Sequence, residues 1–123
     1  MEIKFIIPGK PQPQERRVVR NRFWAYDPPK SAKAKKLVAQ YALLSLQENG
    51  NTVFGPEFTG RLGVSLKCHG ARLNADLDNL YKLVTDALQG LLYRNDSQID
   101  KAEISRHPAH KGDERTEVEI ISL

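Results

Sequence analysis

The sequence predicts a small α+β domain, a mixed β-sheet with two main helices packed on it, in one unit over residues 1–123. Three observations carry this. Four stretches alternate apolar and polar residues as strands do, at 2–7, 61–69, 99–106 and 116–122. Two longer stretches, about 31–49 and 80–91, repeat apolar residues at helical spacing. A chain of 123 residues is long enough for one real core, with no internal repeat and no composition break to mark a second.

The elements follow in order. Glu2-Ile-Lys-Phe-Ile-Ile7 reads as a first strand, and Pro8-Gly-Lys-Pro-Gln-Pro13 stops it in an extended, irregular segment. Residues 15–26 then place four arginines (Arg16, Arg17, Arg20, Arg22) ahead of Phe23, Trp24 and Tyr26. A turn at Asn21-Arg22 would make this a hairpin or flap of strands 17–20 and 23–26. Arginine forks match phosphate and aromatic rings stack on unpaired bases, so the flap is a candidate nucleic-acid contact. The plainer reading is packing aromatics among solvated arginines. Asp27-Pro-Pro-Lys30 leads into the first long helix, with Ser31 a candidate N-cap and Gly50 a stop. Lys30, Lys33, Lys35 and Lys36 crowd its first turns, where cations oppose the helix dipole; an anionic partner would account for that small cost, and salt screening would reduce it. Residues 49–57 read as a loop. Cys68 falls in the second strand as a small core residue. The last two strands read as an antiparallel pair across a polar turn at 108–113.

Composition excludes several classes. No apolar run approaches the length of a membrane span, and Met1-Glu2-Ile3-Lys4 does not begin a signal peptide. One cysteine cannot form an intrachain disulfide, which fits the cytoplasm, and one cysteine with three histidines makes a zinc site a poor expectation. No P-loop, Rossmann fingerprint or nucleophile elbow occurs, so no nucleotide cofactor is expected. Charge is segregated: residues 1–75 hold 13 Lys/Arg and 5 Asp/Glu, residues 76–123 hold 6 and 10. A basic half suits a polyanion and an acidic half can house metal-binding carboxylates.

The acids that matter are Asp76 and Asp78, with Leu77 between them. Extended backbone would send both carboxylates to one face and the leucine to the other. A helix then starts, and Asp78, Lys82 and Asp86 lie at four-residue steps along one edge. Asp96 follows at the entrance of the next strand, where it could return to the first two. Close carboxylates repel unless a cation lies between them, and Mg²⁺ is the usual one. Against this, either acid could be an N-cap and Lys82 an ordinary partner of Asp78 and Asp86. His107 and His110, three apart in a polar turn, carry little weight.

The run Asp76-Leu-Asp-Asn-Leu-x-Lys82, then Asp86-Ala-Leu, then Asn95-Asp-Ser-Gln-Ile99, resembles the RusA family of Holliday junction resolvases. Ile7-Pro-Gly-x-Pro11, the arginine-rich segment and the lysine-bearing helix are similar to its Gram-positive and phage branch. The resemblance implies a homodimeric, Mg²⁺-dependent endodeoxyribonuclease that cuts four-way junctions by paired symmetric nicks, in recombination and repair. It implies that Asp76, Asp78 and Asp96 bind metal and act in catalysis, and that Lys82 is required. Some relatives carry two consecutive acids where this chain has Asn95-Asp96. Asp86 is the candidate to orient Lys82. Arg16, Arg17, Arg20, Arg22, Lys33, Lys35, Lys36 and Arg72 are candidates to hold DNA phosphates. The alternatives are a less selective Mg²⁺ nuclease on branched DNA, and a non-catalytic DNA-binding or assembly protein whose acids are structural.

Overall fold

A computed structural model describes residues 2–22, 24–48 and 58–123, and among these lie six strands and two long helices. Strand β1 (Glu2–Pro8) buries Ile3, Phe5 and Ile7 and exposes the residues between them, as its alternation requires. The flap is a separate two-stranded sheet of β2 (Val18–Asn21) and β3 (Trp24–Tyr26), with a bulge between Val19 and Asn21. Phe23 and the expected loop at 49–57, with the Gly50 stop, lie outside the described residues. Helix α1 (Pro29–Glu48) buries Val38, Ala42 and Leu46. It starts two residues before the expected cap, because Pro29 suits a first helical position. Ser31 is therefore not the N-cap. It is buried inside the first turn, and its Oγ accepts a hydrogen bond from the Glu15 amide at 2.9 Å.

The main sheet runs β1-β6-β4-β5, with β4 (Leu62–His69), β5 (Ile99–His107) and β6 (Arg115–Ser122). The expected β5–β6 pair does not form. Instead β6 lies antiparallel between β1 and β4, and β5 lies parallel to β4 at the edge. The burial patterns give the reason. β6 alternates buried Thr116, Val118 and Ile120, as an interior strand of a one-sided sheet does. β5 exposes Asp100, Lys101 and Glu103, charges that protect an edge from further pairing.

Parallel pairing requires a crossover, and α2 (Leu77–Leu88) supplies it. Leu83, Val84 and Leu88 of α2 meet α1 and the sheet in one core layer; Leu80 closes a smaller cluster with Cys68, Ala71 and Ala75. The helix stops at Leu88, short of the expected 91–92. Gly90, at φ 84°, turns the chain, and Leu92 and Tyr93 re-enter the core from that turn. The Tyr93 hydroxyl donates to the Thr85 carbonyl at 2.6 Å, which fastens the turn to α2. The crossover has a consequence for function: Asp76 follows the end of β4, whereas Asp96 precedes the start of β5.

Candidate active site and nucleic-acid interface

Asp76 is the N-cap of α2, with extended backbone at φ −69° and ψ 135°, yet its side chain makes no capping hydrogen bond. Asp78 stands in the first helical turn. The two acids are therefore not neighbours on one strand face, as the alternation suggested. The start of the helix brings them to one end instead, and Leu77 packs inward on the Cys68–Leu80 cluster. Both carboxylates are exposed, and neither has a hydrogen-bond or ion-pair partner among the described residues. Helix N-termini favour anions, so the first turn of α2 can bear this charge. Capping explains neither acid.

The segment that delivers Asp76 is held from below by a residue the sequence reading passed over. Arg106 of β5 donates from Nη1 to the carbonyls of Arg72 (3.1 Å) and Leu73 (2.5 Å) and from Nη2 to that of Ala75 (2.8 Å). A guanidinium spreads several donors in one rigid plane, which suits three carbonyls on a tight loop. The available signal was its place in the row Ala102, Ile104, Arg106, on the same face as its register partner, buried Cys68. That environment pushes the Cys68 thiol up to about 11, burial being the cause, and leaves it unreactive. Leu73, on the held loop, is 90% exposed beside the acids.

Asp96 does not return to Asp76 and Asp78 within one chain. Its amide donates to the Gln89 side-chain oxygen at 3.3 Å, and Gln89 is the C-cap of α2. The 12 residues of α2 extend about 18 Å between the two places. Asp96 instead neighbours Tyr81 and Tyr93: burial raises both phenols, and the Asp96 charge raises them further, with Tyr81 and Asp86 also acting on Tyr93. The loop around it is rigidly made. Asn95 caps a one-turn helix (Asp96–Gln98) by accepting from the Ser97 amide. Gln98 accepts from the Arg94 and Asn95 amides and donates to the Phe58 and Gly60 carbonyls. The departure at Asn95 is thus a capping group. Among the described residues no three of His, Cys, Asp and Glu converge in a way that could hold a metal ion. Asp76 and Asp78 still suit Mg²⁺, a hard cation content with one or two carboxylates when water and substrate phosphate complete its shell.

Lys82 lies one turn beyond Asp78, about 6 Å along the helix, and is exposed with no ion pair among the described residues. Asp86 makes no ion pair with it among the described residues. Lys35 of α1 stands 3.9 Å from Asp86 across the helix seam and 2.8 Å from Asp27. With its side chain only 21% exposed, Lys35 is a clamp between these acids rather than an open phosphate contact. It is also the main reason the Asp27 carboxyl sits below its ordinary pKa. Arg17 faces Asp27 too, at 3.4 Å. Arg16, Arg20, Arg22, Lys33, Lys36 and Arg72 are exposed, as a phosphate contact requires. An open cleft of about 470 Å³ joins Arg16 and Arg17 to Lys35 and to Asn79, Lys82 and Asp86 of α2. A larger hollow, about 690 Å³, lies between the flank of α1 and the outer sheet face and contains none of these acids. His107 stacks on His69 with ring centroids 4.9 Å apart, its Nε2 2.8 Å from Ser105 Oγ, and His110 is exposed.

No helix among the described residues is long and apolar enough to cross a membrane. Comparison with curated proteins finds no match. The family model described as Endodeoxyribonuclease RusA matches residues 8–121, nearly the whole chain and every candidate site residue above. RusA nucleases are divalent-metal-dependent enzymes whose substrate is branched DNA. An exposed acid pair, an exposed lysine one turn away and a basic approach are what such an enzyme needs, and the chain belongs to the RusA family of Holliday junction resolvases.

Proposed function

We propose that this chain works in the cytoplasm as a Mg²⁺-dependent homodimer that resolves four-way DNA junctions by paired symmetric nicks. The observation that carries the site assignment is the uncapped acid pair at the start of α2. Asp76 and Asp78 hold the metal. Bound Mg²⁺ would polarise the scissile phosphoryl group and lower the pKa of an attacking water. Lys82 places its ammonium against the phosphate, where negative charge grows in the transition state. Arg106 keeps the Asp76 loop in register, acting through the carbonyls it holds. Arg16, Arg20, Arg22, Lys33, Lys36 and Arg72 grip the DNA arms.

Asp96 joins the catalytic set through the dimer. One chain separates it from the pair by the length of α2, so the ligand set is completed by Asp96 of the partner subunit. Two-fold pairing then yields two equal sites on a substrate that is itself nearly two-fold, which accounts for symmetric nicks. The test compares a synthetic four-way junction with matched duplex, fork and flap at one salt concentration, with and without Mg²⁺. Paired nicks in the junction alone, lost without metal, are expected. Equal cutting of fork and flap would replace junction resolution by a less selective nuclease. Salt-sensitive binding with no cutting in any metal would leave a non-catalytic DNA-binding protein.

A further inference from the structure

The flap carries apolar surface that the fold does not use. All four β2 residues are exposed, and Val19 (68%) and Trp24 (59%) rank among the most exposed large apolar side chains described. The ring of Trp24 lies 5.8 Å from that of Tyr26, tilted by 45°, and Arg20 sits over the other ring at 5.5 Å. Cation, phenol and indole therefore share one side of the hairpin. An isolated two-stranded hairpin is marginal in water, and exposing an indole on one is unfavourable unless something covers it.

The foot of the flap, in contrast, is firmly set. Lys35 and the Gln14 side chain both bind Asp27, directly after β3. The Gln14 amide donates to the Asn79 carbonyl at 2.8 Å. Asn79 is the residue after Asp78, so the flap rises from the same end of α2 as the acid pair. Arg16 and Arg17 flank its root in the cleft that holds Lys82.

We propose that Trp24 is a wedge that stacks on an unpaired nucleobase at the branch point of the DNA. This rests on the nuclease reading and adds how the junction centre is told from its arms. The chemistry selects the occupant. An exposed indole beside Tyr26 and its overlying Arg20 fits a base with phosphates next to it, and stacking tolerates any base. Linear duplex offers the phosphates but keeps its bases stacked on each other. A branch point offers both, so the wedge adds affinity only there.

Trp24 is the one tryptophan in the chain, so its emission reports the contact directly. The full chain is titrated, without divalent metal, with a four-way junction, a matched duplex and one of the single strands. A gel shift in the same buffer records binding. Saturable quenching by the junction, absent with duplex at equal occupancy, is expected. A 2-aminopurine at the branch point should change its emission on binding, and one placed mid-arm should not. Trp24→Ala should weaken junction binding about 5- to 150-fold, the span for losing one stacked base, and leave duplex binding unchanged. Trp24→Phe, which keeps a ring and the hairpin, should restore most of it. Junction binding with unaltered tryptophan emission, equal quenching by duplex, or quenching by single strand alone would overturn the wedge and leave the nuclease reading in place. Loss in both the Ala and the Phe variant would also overturn it, as a flap needed only for its shape. A wild-type chain that binds no junction would overturn the nuclease reading, and the wedge with it.

Discussion

Two inactive chains should make one active dimer. Asp78→Asn and Asp96→Asn each remove one acid from the proposed set, and each homodimer should fail to cut. The structure decides what a mixture does. Carboxylates sharing one Mg²⁺ bind it at roughly 2 Å, so they lie within about 4 Å of each other. Within one chain Asp78 and Asp96 belong to opposite ends of a helix that extends about 18 Å, more than side chains of this length can close. If each site draws Asp78 from one subunit and Asp96 from the other, a mixed dimer holds one site lacking both acids and one site with none missing. Random pairing of equal amounts makes half the dimers mixed, so about one quarter of all sites are intact. The assay co-refolds the two variants and follows a junction labelled on all four strands. Cutting should recover to about a quarter of the wild-type level and appear as single rather than paired nicks. No recovery, from a mixture in which mixed dimers are demonstrated, would refute the shared site and require the three acids to meet within one chain.

Other residues give separable outcomes. Arg106→Gln removes the donors that hold the Arg72, Leu73 and Ala75 carbonyls, so the Mg²⁺ concentration for half-maximal cutting should rise about tenfold or more while metal-free junction binding stays unchanged; an unaltered metal titration would deny Arg106 its positioning role. Arg16→Glu with Arg20→Glu should lower the slope of log affinity against log salt by about 2, close to 0.9 per phosphate contact, and an unchanged slope would remove the flap root from the interface. Lys35→Met should destabilise the fold at pH 7. In the wild type the hydrogen bond from Lys35 chiefly holds the Asp27 carboxyl below its ordinary value. That contribution is present above the unfolded pKa and is lost as pH falls below about 4. Denaturant titrations at pH 7 and pH 3 should therefore differ less in the variant; an equal difference would show that Asp27 owes nothing to the clamp.

Much of the fold was legible where one rule governed a stretch. β1 and β4 follow from alternation, and α2 from its leucine stripe, because each buries one face against a single core layer. The errors arose where two rules competed. Asp76-Leu-Asp78 has the period of a strand, but the uncapped amides of α2 begin at Leu77, and the helix start overrides the alternation. β5 and β6 are neighbours in sequence, and adjacency suggested a pair. The interior pattern of β6 and the charged edge of β5 dictate otherwise. That topology decides where Asp96 stands, so its separation from Asp78 was beyond any reading of local spacing. Arg106 acts on carbonyls more than thirty positions away, and Lys35 links two acids on different elements. Long-range polar contacts of this kind leave no periodic trace. The acids themselves were found through family resemblance, since spacing alone also permitted capping; the idle side chain of Asp76 now argues against that alternative.

The most direct test of the central claim measures binding and cutting together in Asp78→Asn, with a mobile four-way junction and Mg²⁺. Loss of a carboxylate that holds metal should abolish the nicks while junction affinity stays equal or rises, because one negative charge has left the DNA-facing surface. Normal cutting by this variant would contradict the account and return the start of α2 to a structural role.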